Sequence, residues 1–150
     1  MGHACHGAKG DHQLNTEHLR RAIALAAEAL ESGNPPFGSL LAGPDGVLVE
    51  ERNTTRTDND ISAHPELKVA RWAAANLDAA TAAKTTMYTS CEPCGMCAGA
   101  LARSGIGQVV FALSAAQYSE LTAFGGFPAV PGDGPHLFEE AKAPIEGYRP

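Results

Sequence analysis

The sequence contains few aromatic residues and no long apolar run. Aromatic residues make up 6% of the chain, and the longest uninterrupted apolar stretch runs only from Ala22 to Ala27. A membrane-spanning helix needs roughly 20 consecutive apolar residues. A secretory signal needs a basic segment followed by an apolar one, and the N-terminus does not show this order. We therefore expect a cytoplasmic protein that does not associate with membranes.

Positive charge is also scarce. The chain carries 11 Lys and Arg against 17 Asp and Glu, which gives a formal net charge of -6. The basic residues are dispersed, with only Arg20 and Arg21 adjacent, and only Lys142 and Arg149 follow Arg103. Neutralisation of phosphates supplies much of the affinity of nucleic-acid-binding proteins. This distribution therefore argues against a nucleic-acid partner, although distant basic residues can still assemble into a patch.

The composition is that of one globular domain. Hydrophobic residues account for 44% and charged residues for 19% of the 150 residues. Neither an internal repeat nor a linker divides the chain. Residues 1–13 are rich in Gly and His and lack periodicity, which predicts a flexible N-terminal tail. Residues 14–150 are predicted to form a single domain.

Hydrophobic periodicity and turn signals predict alternating helices and strands. The predicted elements, in chain order, are a helix from Asn15 or Thr16 to Gly33, strands over Phe37–Ala42 and Val47–Asn53 joined by a tight turn, a helix that begins at His64–Pro65, a strand over Thr85–Ser90, a helix from Pro93 to about Gly105, a strand over Gln108–Leu113 buried on both faces, a helix over Ser114–Phe124 and a short helix over Leu137–Ala143. This order predicts an α/β protein whose sheet carries helices on its faces and contains one antiparallel pair.

Three of the four cysteines, Cys91, Cys94 and Cys97, lie within seven residues. In a chain with no export signal, such clustering indicates metal or redox chemistry instead of a disulfide framework. Cys94 and Cys97 form a C-x-x-C motif at the start of a predicted helix, which places both thiols on one face. The helix N-terminus favours their ionisation. Alone, this motif is typical of either a zinc site or a redox pair.

A second motif, His64-Pro65-Glu66, precedes Cys94 by 30 residues and also begins a predicted helix. One His and two Cys supply three ligands, and three protein ligands plus water are typical of a catalytic zinc site. Glu66 is placed to deprotonate that water without binding the metal. Cys91 as a fourth ligand or a redox partner remains an alternative. Its position at a strand end favours a small buried residue near the metal.

Together these motifs give the pattern H-x-E followed by P-C-x-x-C, and the sequence resembles the cytidine deaminase superfamily of zinc hydrolytic deaminases. The resemblance covers about Leu14–Leu113. It also rests on Pro36-Phe37-Gly38 before a strand and on the run TSCEPCGMC that ends at Cys97. It implies a three-layer αβα sandwich with a central mixed five-stranded sheet, and a homodimer with pockets near the interface. Pro65 replaces the usual alanine, at a helical position that tolerates proline.

The resemblance also implies roles for individual residues. His64, Cys94 and Cys97 would bind Zn²⁺ and Glu66 would be catalytic. Substrate would be bound by Asn53 through hydrogen bonds and by Phe37 through ring packing, with Phe124 in a segment that closes the pocket. The alternatives are that Asn53 merely ends a strand and that Phe37 belongs to the core. The segment after Ser114 resembles nothing that identifies the substrate.

The sequence therefore predicts a zinc-dependent hydrolytic deaminase that releases ammonia from a free nucleobase or related heterocycle. The motifs are most similar to those of guanine deaminases, fungal-type cytosine deaminases and tRNA adenosine deaminases. The acidic charge and short length favour a small ring such as guanine, a cytosine-type base or an amino-triazine. The alternatives are adenosine in tRNA, a nucleoside or nucleotide, and, outside enzymes, a structural zinc module.

Overall fold

The computed structural model describes residues 14–150, so the predicted flexible tail over residues 1–13 lies outside the described residues. The described part contains six helices and four strands: α1 (Thr16–Glu31), β1 (Gly38–Gly43), β2 (Gly46–Arg52), α2 (Pro65–Asn76), α3 (Ala79–Ala82), β3 (Thr86–Cys91), α4 (Gly95–Ser104), β4 (Gln108–Leu113), α5 (Ala115–Thr122) and α6 (Phe138–Lys142). The predicted elements are all present within a few residues of their expected ends. The short helix α3 is an addition to them.

Helix α1 begins where its capping signal predicts. The Asn15 side chain accepts hydrogen bonds from the backbone N–H groups of Glu17 and His18, at 3.0 and 3.1 Å. The helix buries a stripe of small residues and packs closely on β1. At Gly38 in that strand, a Cβ atom would lie 2.5 Å from both the Ala22 carbonyl oxygen and the Leu25 Cβ. Only glycine permits this approach of helix to strand.

The sheet has the strand order β2-β1-β3-β4, with β3 and β4 parallel. β1 is antiparallel to both β2 and β3, so there are two antiparallel pairs and the prediction of one pair was wrong. The second pair arises because, after β2, the chain passes through α2 and α3, and β3 then pairs with the other edge of β1. The sheet is mixed as predicted, but four strands are found among residues 14–150 where five were expected. After α5 the chain is rich in strand-breaking residues, namely Gly125, Gly126, Pro128, Pro131, Gly132, Gly134 and Pro135.

Helices cover both faces of the sheet. On one face, Leu40 of β1 and Tyr88 of β3 pack against Ala22 of α1. On the other face, the neighbouring residues Leu41 and Met87 pack with the α2 residues Val69 and Ala73, and Leu101 of α4 joins this cluster. Successive strand residues point to opposite faces, so each strand contributes to two cores. The structure therefore has the predicted three layers.

Strand β4 is not buried on both faces, contrary to the prediction. Among residues 14–150, its one neighbouring strand is β3. Its residues are half-buried or exposed, and Phe111 is 43% exposed. From residue 105 to the C-terminus no residue is buried. The segment from α5 onward exposes several large apolar side chains: Leu121, Phe127, Val130, Leu137, Phe138 and Ile145. Among residues 14–150, none of the helices has the length and apolar character to cross a membrane.

Candidate metal centre and active site

Two helix starts form the centre of the site. His64 is the N-cap residue of α2 and Cys94 is the N-cap residue of α4, and neither side chain makes a capping hydrogen bond. Both side chains are therefore free to point away from their own helices. Cys97, in the first turn of α4, is fully buried. His64 Nδ1 lies 3.7 Å from Cys94 Sγ and 3.5 Å from Cys97 Sγ.

These distances fit a single zinc ion. The ligand atoms of His64, Cys94 and Cys97 all lie within 4.8 Å of one another. Zinc bonds of about 2.3 Å to sulfur and about 2.05 Å to nitrogen, at the tetrahedral angle, separate the two ligand atoms by about 3.55 Å. The donor set of one imidazole and two thiolates is also one that zinc prefers. The three residues could therefore hold zinc.

Cys91 lies outside this ligand group. It is the last residue of β3 and is 8% exposed, and the thiols that lie together with His64 are those of Cys94 and Cys97. Cys91 is followed directly by the loop that leads into α4. This arrangement agrees with the interpretation of Cys91 as a small buried residue near the metal.

Burial sets the protonation of the ligand group. It lowers the pKa of His64, which favours the neutral imidazole that a metal ligand requires. Burial also raises the pKa of the Cys97 thiol, and the neighbouring Glu66 and Cys94 raise it further. Without a cation, Cys97 keeps its proton at neutral pH. A bound divalent cation would reverse this preference, because it stabilises the thiolate.

Glu66 lies in the first turn of α2, beside the ligand group, and is 5% exposed. Burial raises the pKa of its carboxyl, whereas hydrogen bonds from Cys97, Ser39 and Thr89 lower it. Ser39 Oγ and Thr89 Oγ1 lie 3.3 and 3.4 Å from Glu66 Oε1. A carboxylate in such surroundings can both accept and return a proton near neutral pH.

Asn53 follows the last residue of β2 and is 2% exposed. Its backbone N–H donates to the Phe37 carbonyl at 3.0 Å. Its side-chain Oδ1 accepts from both the N–H and the hydroxyl of Thr55, each at 2.9 Å. The acceptor end of the amide is thus already engaged, which leaves the Nδ2 group as the end that can recognise a ligand.

The loop after Asn53 is held by Asn34, which is 1% exposed. Asn34 Oδ1 accepts hydrogen bonds from the backbone N–H groups of Arg56 and Thr57, both at 3.1 Å. Its Nδ2 group donates to Thr57 Oγ1 at 3.1 Å. The turn before β1 and the loop after β2 are therefore tied together around Asn53.

Phe37 and Phe124 belong to one row of aromatic rings but do not lie next to each other in it. Tyr118 of α5 stands between them, with ring centroids 5.6 Å from Phe37 and 6.4 Å from Phe124, and Phe127 extends the row. Helix α5 is joined to the loop before α4 by a hydrogen bond from the Ala115 N–H to Glu92 Oε1, 3.1 Å long. The row thus connects the predicted substrate-binding aromatics through a residue that was not predicted.

Four residues of the site were not predicted from the sequence, namely Ser39, Thr89, Asn34 and Tyr118. Ser39 had a detectable signal, because it is the one polar side chain in the apolar strand GSLLAG. A polar residue in a buried strand usually has a hydrogen-bonding partner. The partner itself is set by the pairing of β1 with β3, which the sequence does not reveal.

The sequence matches the cytidine and deoxycytidylate deaminase zinc-binding region over residues 12–113. The chain belongs to this deaminase family. The match includes both motifs that meet in the structure, His64-Pro65-Glu66 and the C-x-x-C of Cys94 and Cys97. The family is a zinc-binding one, and this chain carries a ligand group that fits the metal.

Relatives with three different named substrates are similar to this chain. Guanine deaminase of Bacillus subtilis is 39% identical over 84 residues, 55% of this chain and 54% of that protein. The probable cytosine deaminase of Schizosaccharomyces pombe is 33% identical over 112 residues, covering 73% and 66% of the two chains. The tRNA-specific adenosine deaminase of Buchnera aphidicola is 32% identical over 96 residues, covering 64% of each. The chain thus spans about half to two thirds of these relatives.

Among solved structures, guanine deaminase from Bacillus subtilis superposes with a TM-score of 0.73 at 27% sequence identity. The superposition covers 89% of this chain and 92% of that one, so it extends beyond the region matched by sequence. The family and the α/β fold are therefore shown, while relatives that act on bases and on tRNA are both present.

Proposed function

We propose that the protein is a zinc-dependent hydrolytic deaminase that acts on a free nucleobase or a related heterocycle. The observation that carries this proposal is the meeting of His64, Cys94 and Cys97 beside the buried carboxyl of Glu66. Three ligands leave one tetrahedral position for a water molecule. When bound there, zinc would supply Lewis-acid activation of that water. A structural zinc site would instead have four protein ligands.

Glu66 performs the proton transfers in this proposal. It takes one proton from the attacking water and delivers it to the ring nitrogen. It then takes the second proton from the newly formed hydroxyl group and delivers it to the amino group, which leaves as ammonia. The substrate thereby exchanges its amino group for a carbonyl oxygen. Burial at 5% exposure supports this role, because the carboxyl is kept from bulk water and its pKa is raised. No other carboxylate among residues 14–150 is buried.

Asn53, Phe37 and Phe124 bind the substrate in this proposal. Because Thr55 occupies the Oδ1 atom of Asn53, the amide presents its Nδ2 donor to an acceptor on the polar edge of the ring. The half-buried Phe37 packs against the ring face. Phe124, joined to Phe37 through Tyr118, belongs to the segment that closes the pocket.

A small ring is favoured over tRNA as the substrate. The net charge of -6 repels phosphate, and the superposition on guanine deaminase covers nearly all of that chain. Adenosine in tRNA is the second candidate, because a tRNA-specific adenosine deaminase is 32% identical to this chain.

Release of ammonia tests the two candidates side by side. Guanine, cytosine, isocytosine, adenine, amino-triazines and their nucleosides are compared with a tRNA anticodon stem at low and physiological salt. We expect turnover of at least one free base that responds little to salt. Binding of a nucleic-acid duplex would weaken steeply with salt. The logarithm of its binding constant falls with the logarithm of the salt concentration, with a slope of about −0.9 per phosphate contact. Deamination of the RNA with none of any free base would overturn the proposal in favour of tRNA.

We also propose that the protein acts as a homodimer. In a single chain no residue beyond 104 is buried, and large apolar side chains of the C-terminal segment face solvent. Exposed apolar surface of this extent is typical of an interaction site. A second copy that covers it accounts for the exposure. Light scattering should give twice the chain mass of 15.6 kDa, and a mass of one chain at working concentration would contradict the dimer.

A further inference from the structure

Two hydroxyl groups meet at the carboxyl of Glu66. Ser39 of β1 and Thr89 of β3 are directly paired in the sheet, and both are fully buried. Ser39 Oγ lies 2.8 Å from Thr89 Oγ1. Both hydroxyls are close to the same carboxylate atom, Glu66 Oε1, at 3.3 and 3.4 Å. They approach the carboxyl from the sheet, opposite to the helix that carries it.

Each hydroxyl has one proton, which limits the hydrogen bonds that can form together. Thr89 Oγ1 also lies 3.2 Å from the Cys91 carbonyl oxygen and 3.4 Å from the Gly38 carbonyl oxygen. When Ser39 donates to Thr89, the Thr89 proton remains available for Glu66 Oε1. When Thr89 donates to a backbone carbonyl, Ser39 can donate to Oε1 instead. Two arrangements of this pair therefore direct a hydroxyl proton to Oε1, one from Thr89 and one from Ser39.

Packing alone does not account for these two hydroxyls. Valine or alanine would fill the same fully buried positions without a polar group, and burying a hydroxyl is unfavourable unless it is hydrogen-bonded. A buried carboxylate likewise needs donors. Both hydroxyls contact Oε1, so neither of them occupies the other carboxylate oxygen, Oε2.

We propose that Ser39 and Thr89 are positioning residues, which hold Oε1 of Glu66 so that Oε2 performs the proton transfers. This inference rests on the proposed role of Glu66. The pair also fixes the direction from which the carboxylate approaches the reacting atoms. A misplacement of only about 1 Å in a reacting group can reduce the rate by about a hundredfold.

The test compares kcat, KM and zinc content of Ser39→Ala, Thr89→Val and the double variant. A hydrogen bond to a charged group contributes enough to predict a loss of about tenfold in kcat for each single variant, with KM and zinc content unchanged. Because the two hydroxyls bond to each other, the loss in the double variant should be smaller than the product of the single losses. Thr89→Ser keeps the hydroxyl and should retain kcat.

Matched control variants remove buried hydroxyls that do not contact Glu66. Thr85 is fully buried and donates to the Ala82 carbonyl at 2.6 Å, and Ser104 is 6% exposed and donates to the Leu101 carbonyl at 2.7 Å. Thr85→Val and Ser104→Ala should lose stability without losing kcat. Equal losses of kcat in these controls would show a general effect of stability and overturn the inference.

Crystal structures of the zinc-loaded wild type and variants provide a measurement that does not depend on activity. The Glu66 carboxylate should move or become disordered in the double variant and stay in place in Thr85→Val. An unmoved carboxylate, or wild-type kcat in the double variant, would overturn the inference. A wild type that releases ammonia from no ring would refute the proposed function instead, and the crystallographic comparison would still decide the role of Ser39 and Thr89.

Discussion

His64 Nδ1 and Cys97 Sγ lie 3.5 Å apart, although the two residues are separated by 33 positions and belong to different helices. The contact is set by the packing of α2 on α4, in which Val69 and Leu101 share one hydrophobic cluster. The apolar packing of α2 on α4 thus brings the members of the ligand group together.

Removal of zinc should therefore abolish turnover and leave the fold largely intact. Of the three candidate ligands, Cys97 is buried, and none of the three belongs to the hydrophobic cluster between the sheet and α2. A chelator should lower the melting temperature while the far-UV circular dichroism spectrum at 25 °C stays close to that of the zinc-loaded protein. Unfolding upon chelation, as in structural zinc modules, would indicate a structural metal.

Cys91→Ser should keep one zinc ion per chain. Cys91 lies outside the group formed by His64, Cys94 and Cys97, and serine preserves its small size. Cys94→Ser serves as the matched variant and should lose zinc affinity, because it removes a thiolate ligand. Metal analysis of the purified proteins checks both. Loss of zinc from Cys91→Ser would show that the site has a fourth protein ligand.

Zinc binding should release protons, and the affinity for zinc should rise with pH. Burial and the neighbouring Glu66 raise the pKa of Cys97, so the metal-free thiol is protonated at neutral pH and must lose its proton to bind zinc. As the pH falls, protons compete more strongly and affinity decreases. Titration with zinc in weak buffer, followed by a pH indicator, measures the release. A pH-independent affinity between pH 6 and about 8 would contradict this assignment.

Asn53→Ala should lower kcat/KM for the preferred ring, because a polar group of the substrate loses its donor in a buried pocket. The expected loss corresponds to an increase of about 1–3 kcal/mol in the activation free energy. Asn76→Ala is the control, since Asn76 lies at the end of α2 and donates to the Trp72 carbonyl at the surface. The two variants are compared in the ammonia assay. Equal kcat/KM in Asn53→Ala and the control would remove Asn53 from the substrate site.

The features predicted correctly from the sequence are those with local signals. The start of α1 follows from Asn15 as a capping residue. The starts of α2 and α4 follow from Pro65 and from the C-x-x-C motif. The grouping of His64, Cys94 and Cys97 could be predicted because His and Cys are typical zinc ligands. Such signals lie within a few residues of one another and need no knowledge of the sheet.

The features that were missed depend on long-range pairing. The apolar run of β4 has the composition of a central strand, but its burial is decided by the number of neighbouring strands, and it has one. The contact of Ser39 with Thr89 depends on the register between β1 and β3. The exposure of the C-terminal segment likewise depends on long-range packing, which the patterns of α5 and α6 do not encode.

The most direct test of the proposed chemistry is the kcat of Glu66→Gln measured beside its zinc content. Gln is nearly isosteric with Glu but cannot transfer protons, and general acid–base groups contribute about 10²–10⁴-fold to rate. We expect Glu66→Gln to bind one zinc per chain and to keep a melting temperature close to that of the wild type. Its kcat should fall by at least about a hundredfold. A zinc-loaded Glu66→Gln variant that keeps a tenth or more of the wild-type kcat would contradict the role of Glu66 as the proton carrier.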